Sequence, residues 1–194
     1  MNTNQTLKFH GDVCPYTPWT LAMLDNILRK FLQNPKKILG DHIQPGMKVI
    51  DIGCGPGFFT LPIAQMVGPL GMVIAIDLQR EMLDLVMQKS ERSGLVDRIW
   101  FHQCTPKSLD IKEQVDFILS FYMVHEVPDR DAFFSEVAAL LAPGGKYLVV
   151  EPVFHVSATA FDDTIDHAIG AGFRIESRPH FQLSRAVLLM KELC

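Results

Sequence analysis

A chain of 194 residues, 48% hydrophobic and 21% charged, has the composition of one globular domain with a sizeable core, which excludes a disordered or fibrous protein. The net charge of −4, with Lys36-Lys37 as the densest basic cluster, argues against a broad phosphate-binding face and so against DNA or RNA as substrate. No apolar run nears the roughly 18 residues of a membrane span, and the polar start Met-Asn-Thr-Asn-Gln-Thr lacks the apolar stretch of a signal peptide. Cys14, Cys54, Cys104 and Cys194 are scattered without a C-x-x-C pair, which suits reduced thiols in a cytoplasmic protein. No metal-ligand spacing is present, and no metal is expected.

Residues 19–32 place Leu21, Leu24, Leu28 and Leu32 at helical spacing and predict a helix that ends near Asn34-Pro35. A shorter helix is expected over 36–43, before Pro45-Gly46. Strands and helices then alternate, with apolar strand patterns at 48–52, 73–76, 99–103, 117–120 and 147–151. The clearest helix is 131–141, where Phe134, Val137, Ala138 and Leu141 recur at i, i+3, i+4 and i+7. Such alternation predicts a parallel sheet. The end of the chain differs: a helix over 158–171 precedes strands at 173–177 and 186–190, and residues 178–184 between those strands are too few for a crossover helix. These two strands should pair antiparallel. The expected fold is therefore α/β, with a seven-stranded, mostly parallel sheet, helices on both faces and a reversed last strand. Residues 1–45 are expected to form a helical lid, with Tyr16 and Trp19 as covering aromatics, on a core of residues 46–194.

The chemistry concentrates at Val49 to Thr60, which reads Val-Ile-Asp-Ile-Gly-Cys-Gly-Pro-Gly-Phe-Phe-Thr. The apolar run suits a buried parallel strand, and glycines at 53, 55 and 57 allow a sharp turn and a close approach of backbone to ligand. A helix is expected from Phe58 to Val67, with Pro62 in its first turn, where a missing N–H is tolerated. Its N-terminus would offer free N–H groups to the loop. The spacing is not the dinucleotide pattern G-x-G-x-x-G, because position 58 is Phe. Twenty positions beyond Gly57, Asp77 closes the second strand, where an acid can accept hydrogen bonds from both hydroxyls of a ribose, the reading favoured beside such a loop; the alternative is the cap of a helix over 79–92.

The pattern Asp51-x-Gly53-x-Gly55-x-Gly57 resembles motif I of the class I S-adenosylmethionine-dependent methyltransferases, and the reversed last strand matches the fold of that family. The resemblance implies S-adenosylmethionine as cofactor, with Asp51, Gly53, Cys54, Gly55, Gly57 and Phe58 forming the cradle. It also implies Asp77 on the ribose, and Leu78 and Phe121 beside the ligand. Many members carry an acid for the adenine amino group after the third strand, where this chain has Cys104-Thr105-Pro106. Thr105, backbone groups and a snug Cys104 are expected to serve instead. Motif IV corresponds to Ser120-Phe121-Tyr122-Met123, unlike the Asn/Asp-Pro-Pro-Tyr of nucleic-acid enzymes, and resembles small-molecule methyltransferases such as those of quinone biosynthesis. Pro143-Gly144-Gly145 is expected to end a helix and reverse the chain.

The function that follows is methyl transfer to a small-molecule acceptor by a monomer or homodimer. His125 and Tyr122 are the catalytic candidates. His125 stands beside Glu126, and the pair could take a proton from the acceptor, or His125 could simply pack at the pocket edge. Glu151 and His155 are further candidates for the substrate side. Three alternatives stay open. One is a module that binds S-adenosylmethionine without catalysis. Another is a nicotinamide oxidoreductase, which the loop spacing opposes. The third is an arsenite-type enzyme using Cys14, Cys54 and Cys104.

Overall fold

Each short apolar run forms a strand, and the central ones are buried on both sides. The computed structural model describes residues 33–191, so the helix expected at 19–32 and the candidates Cys14, Tyr16 and Trp19 lie outside the described residues. The strands are β1 (Lys48–Ile52), β2 (Met72–Asp77), β3 (Ile99–Gln103), β4 (Val115–Phe121), β5 (Leu141–Pro152), β6 (Phe173–Ser177) and β7 (Ser184–Lys191). They form one sheet in the order β3-β2-β1-β4-β5-β7-β6, whose edge strands β3 and β6 are partly exposed. The described helices are α1 (Pro35–Leu39), α2 (Thr60–Val67), α3 (Arg80–Arg92), α4 (Arg130–Leu140) and α5 (Ala158–Gly170). None is long and apolar enough to cross a membrane.

Alternate strand residues point to opposite faces of the sheet, and each face has its own apolar cluster. Ile50, Ile52, Ile74 and Ile76 pack with Phe134 and Val137 of α4 and Phe161 and Ile165 of α5. Val49, Val73 and Ala75 pack with Ile63 and Val67 of α2 and Leu83 and Val86 of α3. Ile38, Leu39 and Ile43 are buried in this second cluster, so the stretch around α1 is packed as core. The neighbouring pairs from β3 to β5 run parallel, whereas β7 lies between β5 and β6 and is antiparallel to both, with Leu189 opposite Tyr147 and Ile175.

Three local details differ from expectation. Helix α1 is capped by Asn34, whose side chain accepts from Lys36 N at 3.0 Å, and it ends at Leu39. Helix α2 begins at Thr60, because Gly53, Gly55 and Gly57 all hold left-handed φ values (69°, 51° and 85°) and the turn they make consumes the residues before it. Pro143-Gly144-Gly145 does not end the helix. Helix α4 has already ended, Leu141 is already paired with Val115, and the register then jumps to Phe117 opposite Lys146. The tripeptide is a bulge inside β5, with Gly144 at φ 79°.

At the centre of the first cluster, the buried Tyr147 ring packs against Phe134 and Phe173 with centroids at 6.1 and 5.9 Å, and its hydroxyl donates to Ser120 Oγ at 2.8 Å. Ser120, the first residue of motif IV, thus serves the core. Tyr147→Phe leaves the buried Ser120 hydroxyl without this donor and should cost about 1–2 kcal/mol in urea unfolding, with an unchanged far-UV spectrum.

Candidate active site

The sheet order reverses between β1 and β4, and the crevice outside the carboxyl ends of strands at such a point is where ligands bind in open α/β sheets. A cavity of about 510 Å³ lies there, within the size range of small-molecule sites. Its wall is built from the glycine turn after β1, the exit of β2, the β3–β4 connection, the exit of β4 and the side of α4. Asp51, Gly53, Cys54, Gly55 and Phe58 line it from the first element, Asp77 and Leu78 from the second, Cys104 and Thr105 from the third, and Phe121 and Tyr122 from the fourth.

Gly57 is the one expected cradle residue that does not line the cavity. A Cβ there would stand 3.1 Å from Val86 Cγ1, so this glycine lets the turn press against α3. Met123, the last residue of motif IV, also lines the cavity; Phe133 and Glu136 line it too and were not foreseen, since no motif marks them.

The turn is braced on several sides. Buried Asp51 accepts from Thr60 Oγ1 at 2.6 Å, and the N–H groups of Gly53 and Cys54 donate to the Ile76 carbonyl at 2.8 and 2.9 Å. From α3, Lys89 Nζ donates to the Pro56 carbonyl at 2.9 Å. At Gly53 a Cβ would fall 2.9 Å from Met123 Cβ, whereas at Gly55 it would meet nothing within 4 Å. Gly55 therefore leaves bare backbone beside open space.

Asp77 ties this turn to the end of β2. Its Oδ2 accepts from Gly55 N and its Oδ1 from Gln79 N, both at 2.9 Å. It is not the cap of α3; Gln79 holds that position. Burial raises the Asp77 carboxyl above its ordinary range, against the pull of the Gln79, Gly55 and Leu78 N–H groups. A carboxylate offers about four acceptor positions, so these main-chain bonds leave capacity for ligand hydroxyls.

The two described cysteines behave as packing groups. Burial, then the charges of Asp77 and Asp51, push the Cys54 thiol well up, and burial with Asp77 pushes Cys104 to about 12. Nothing in this arrangement supports the arsenite-type reading.

Tyr122 holds a left-handed φ of 63°, rare for an aromatic residue and a form of strain that gathers at functional sites. Its N–H donates to the Val150 carbonyl at 2.8 Å, and its hydroxyl accepts from Gln33 Nε2 and lies 2.6 Å from Ser184 Oγ. Its ring lies 4.5 Å from that of Phe121 and 6.5 Å from that of Phe154.

His125, in a 3₁₀ turn at Val124–Glu126, stands beside the cavity and not in its wall. Its hydrogen-bond partner is Glu151 at the end of β5, while the carboxylate of the adjacent Glu126 stands farther off, 4.0 Å from Nε2. Successive residues of a 3₁₀ turn diverge by about 120°, which separates the two neighbours. Glu151 Oε2 lies 2.6 Å from His125 Nδ1, and Oε1 accepts from the His125 backbone N at 3.2 Å. Glu151 is 1% exposed, and the His155 ring meets His125 edge-on at 4.7 Å. Burial lowers the affinity of the imidazole for its proton, but the hydrogen bond and charge of Glu151, aided by Glu126, raise the His125 pKa overall.

Residues 43–177 match the family model described as a methyltransferase domain. Among curated relatives, the ubiquinone/menaquinone biosynthesis C-methyltransferase UbiE of Vibrio vulnificus is 31% identical over 123 residues, covering 61% of this chain and 47% of the relative. The protein of the same description from Shewanella baltica is 32% identical over 144 residues, covering 74% and 57%. The chain thus spans about half the length of these relatives. In fold it is similar to a SAM-dependent methyltransferase from Aquifex aeolicus, with a TM-score of 0.81 at 24% identity, covering 91% of this chain and 99% of that one. The glycine turn, Asp77 and the whole cavity wall fall within the matched stretch, and on that match the chain belongs to the methyltransferase domain family.

Proposed function

We propose that this protein transfers a methyl group from S-adenosylmethionine to a small-molecule acceptor. The observation that carries this reading is the buried Asp77 carboxylate, set beside the side-chain-free backbone of Gly55 at the edge of a cavity of about 510 Å³. Asp77 accepts the ribose hydroxyls. The backbone of Gly55, in the turn that Asp51 braces through Thr60, lies against the ligand without a Cβ in the way, while Cys54, Phe58, Leu78, Cys104, Thr105 and Phe121 supply the walls. When bound, the cofactor supplies an electrophilic methyl on a sulfonium sulfur.

The chain's own part is alignment, exclusion of water and handling of the acceptor's proton. The acceptor occupies the side of the site where Tyr122 meets Phe154 and where His125 meets His155. His125 Nε2 takes the proton there, while Glu151 fixes the ring through Nδ1. An aromatic acceptor with an ionisable proton fits these groups, and the relatives described as C-methyltransferases of quinone biosynthesis favour a quinone-like ring. The net charge of −4 favours such a molecule over nucleic acid, and scattered free cysteines favour a cytoplasmic setting. Gln33, whose amide holds the Tyr122 hydroxyl, ties the start of the described domain to this side of the site.

Isothermal titration with S-adenosylmethionine, S-adenosylhomocysteine and NAD tests the reading, followed by methyl-transfer assays on phenols and hydroquinones. Binding of the two adenosyl ligands and not of NAD, with turnover on a ring acceptor, is the expected result. Preference for NAD overturns it; adenosyl binding without turnover on any acceptor class favours a non-catalytic binding module.

A further inference from the structure

The β3–β4 connection walls the cavity with Cys104, Thr105, Ser108 and Leu109, yet residues 104–109 contain no acid. Part of its shape is local. Thr105 and Ser108 close a tight turn, with Thr105 N donating to the Ser108 carbonyl at 3.1 Å and Ser108 N to the Thr105 carbonyl at 3.4 Å. Beyond that turn, apart from Asp110 N donating to Ser108 Oγ at 3.0 Å, the chain is held from outside. Ser108 Oγ and Asp110 N donate to Glu136 Oε1 at 2.9 and 3.0 Å, and Leu109 N donates to Glu136 Oε2 at 3.0 Å. On the carbonyl side, Leu109 O lies 2.8 Å from His102 Nε2. Asp110 takes a left-handed φ of 53° within this clasp.

Glu136 projects from α4, whose Phe133, Phe134 and Val137 are buried in the core, so the carboxylate comes from a rigid support. Glu136 and Phe133 line the same cavity as the loop they face. Hydrogen bonds to a carboxylate are roughly twice as strong as neutral ones. Three of them converging on one side chain fix a loop that has only a four-residue turn of its own.

We infer that Glu136 is the positioning residue of the adenine side of the cofactor cavity. It holds the loop after β3 at the distance from α4 and the β2 exit that accepts the purine, in place of an acid within the loop itself. This inference rests on the cofactor reading above. It assigns adenine recognition to main-chain and hydroxyl groups of residues 104–109, whose placement depends on a side chain in a different element.

The test compares wild type, Glu136→Gln and Ser108→Ala by titration with S-adenosylhomocysteine and with its inosine counterpart, in which a carbonyl replaces the adenine amino group. Thermal melts of the unliganded proteins run alongside. Glu136→Gln turns an amide N–H₂ toward backbone donors and should weaken S-adenosylhomocysteine binding about tenfold or more. It should also shrink the wild-type preference for the adenine base over hypoxanthine, which a merely structural role would leave alone. Ser108→Ala removes one donor and should weaken binding about threefold. A lowered melting temperature with unchanged affinity and base preference overturns the inference. If Glu136→Gln does not fold, Ser108→Ala decides, and an unchanged affinity there overturns it. Failure of the wild type to bind S-adenosylhomocysteine removes the proposed function and this inference together, whereas tight wild-type binding with unaltered variants removes the inference alone.

Discussion

Asp77→Ala will raise the dissociation constant for S-adenosylmethionine at least a hundredfold while leaving the unliganded fold intact. Hydrogen bonds to a charged group contribute about 1.5–3 kcal/mol each, and the reading gives Asp77 two ribose hydroxyls. Its removal also frees Gly55 N and Gln79 N, which it now accepts at 2.9 Å, and so loosens the turn that forms the rest of the cradle. Stability should respond differently. Burial raises the Asp77 carboxyl, so the folded state holds this proton more tightly than the unfolded chain does. Stability therefore falls as pH rises from the unfolded carboxyl value through the folded one, a cost that the ionised wild type bears. Alanine removes the cost, which offsets the two lost main-chain contacts. Titration calorimetry and a thermal melt at pH 7 separate the two effects. A variant that melts like the wild type and still binds the cofactor tightly would show that the ribose is held elsewhere.

The second large effect is expected at His125. His125→Asn keeps a donor toward Glu151 but removes the group that accepts the acceptor's proton, and general-base contributions are typically about 10²–10⁴-fold in rate. Because His125 stands outside the wall of the main cavity, S-adenosylhomocysteine affinity should not change. Glu151→Gln supplies the sign test. The neutral imidazole is the working form, so turnover in the wild type rises with pH through a value above the ordinary His value of about 6.5. The hydrogen bond and charge of Glu151 are what raise it; without them burial dominates, and the acidic limb of the rate profile moves to lower pH. The maximal rate falls as well, because the ring loses its orienting partner. A His125→Asn enzyme with wild-type turnover and an unmoved pH profile would mean that alignment alone drives transfer to an acceptor that arrives deprotonated.

The strand and helix succession was legible in the chain because its signals are local. Val49, Ile50 and Ile52 followed by glycines at 53, 55 and 57 can hardly be anything but a buried strand entering a left-handed turn, and the structure gives all three glycines positive φ. Asp77 was legible for a similar reason: a strand end at this spacing falls beside that turn. The antiparallel end followed from chain length, since residues 178–183 between β6 and β7 cannot hold a crossover helix. What each side chain faces depended on the sheet order and register, which bring together residues far apart in the chain. Only that arrangement gives His125 its 2.6 Å hydrogen bond to Glu151 across β4 and β5, a closer partner than its neighbour Glu126 at 4.0 Å. It turns Gly57 toward Val86 and away from the ligand, and gives Ser120 to Tyr147. It also lays Glu136 of α4 against a loop 26 to 28 positions earlier in the chain. Periodicity carries no trace of such contacts, because it records which face of an element is apolar and not which element lies opposite.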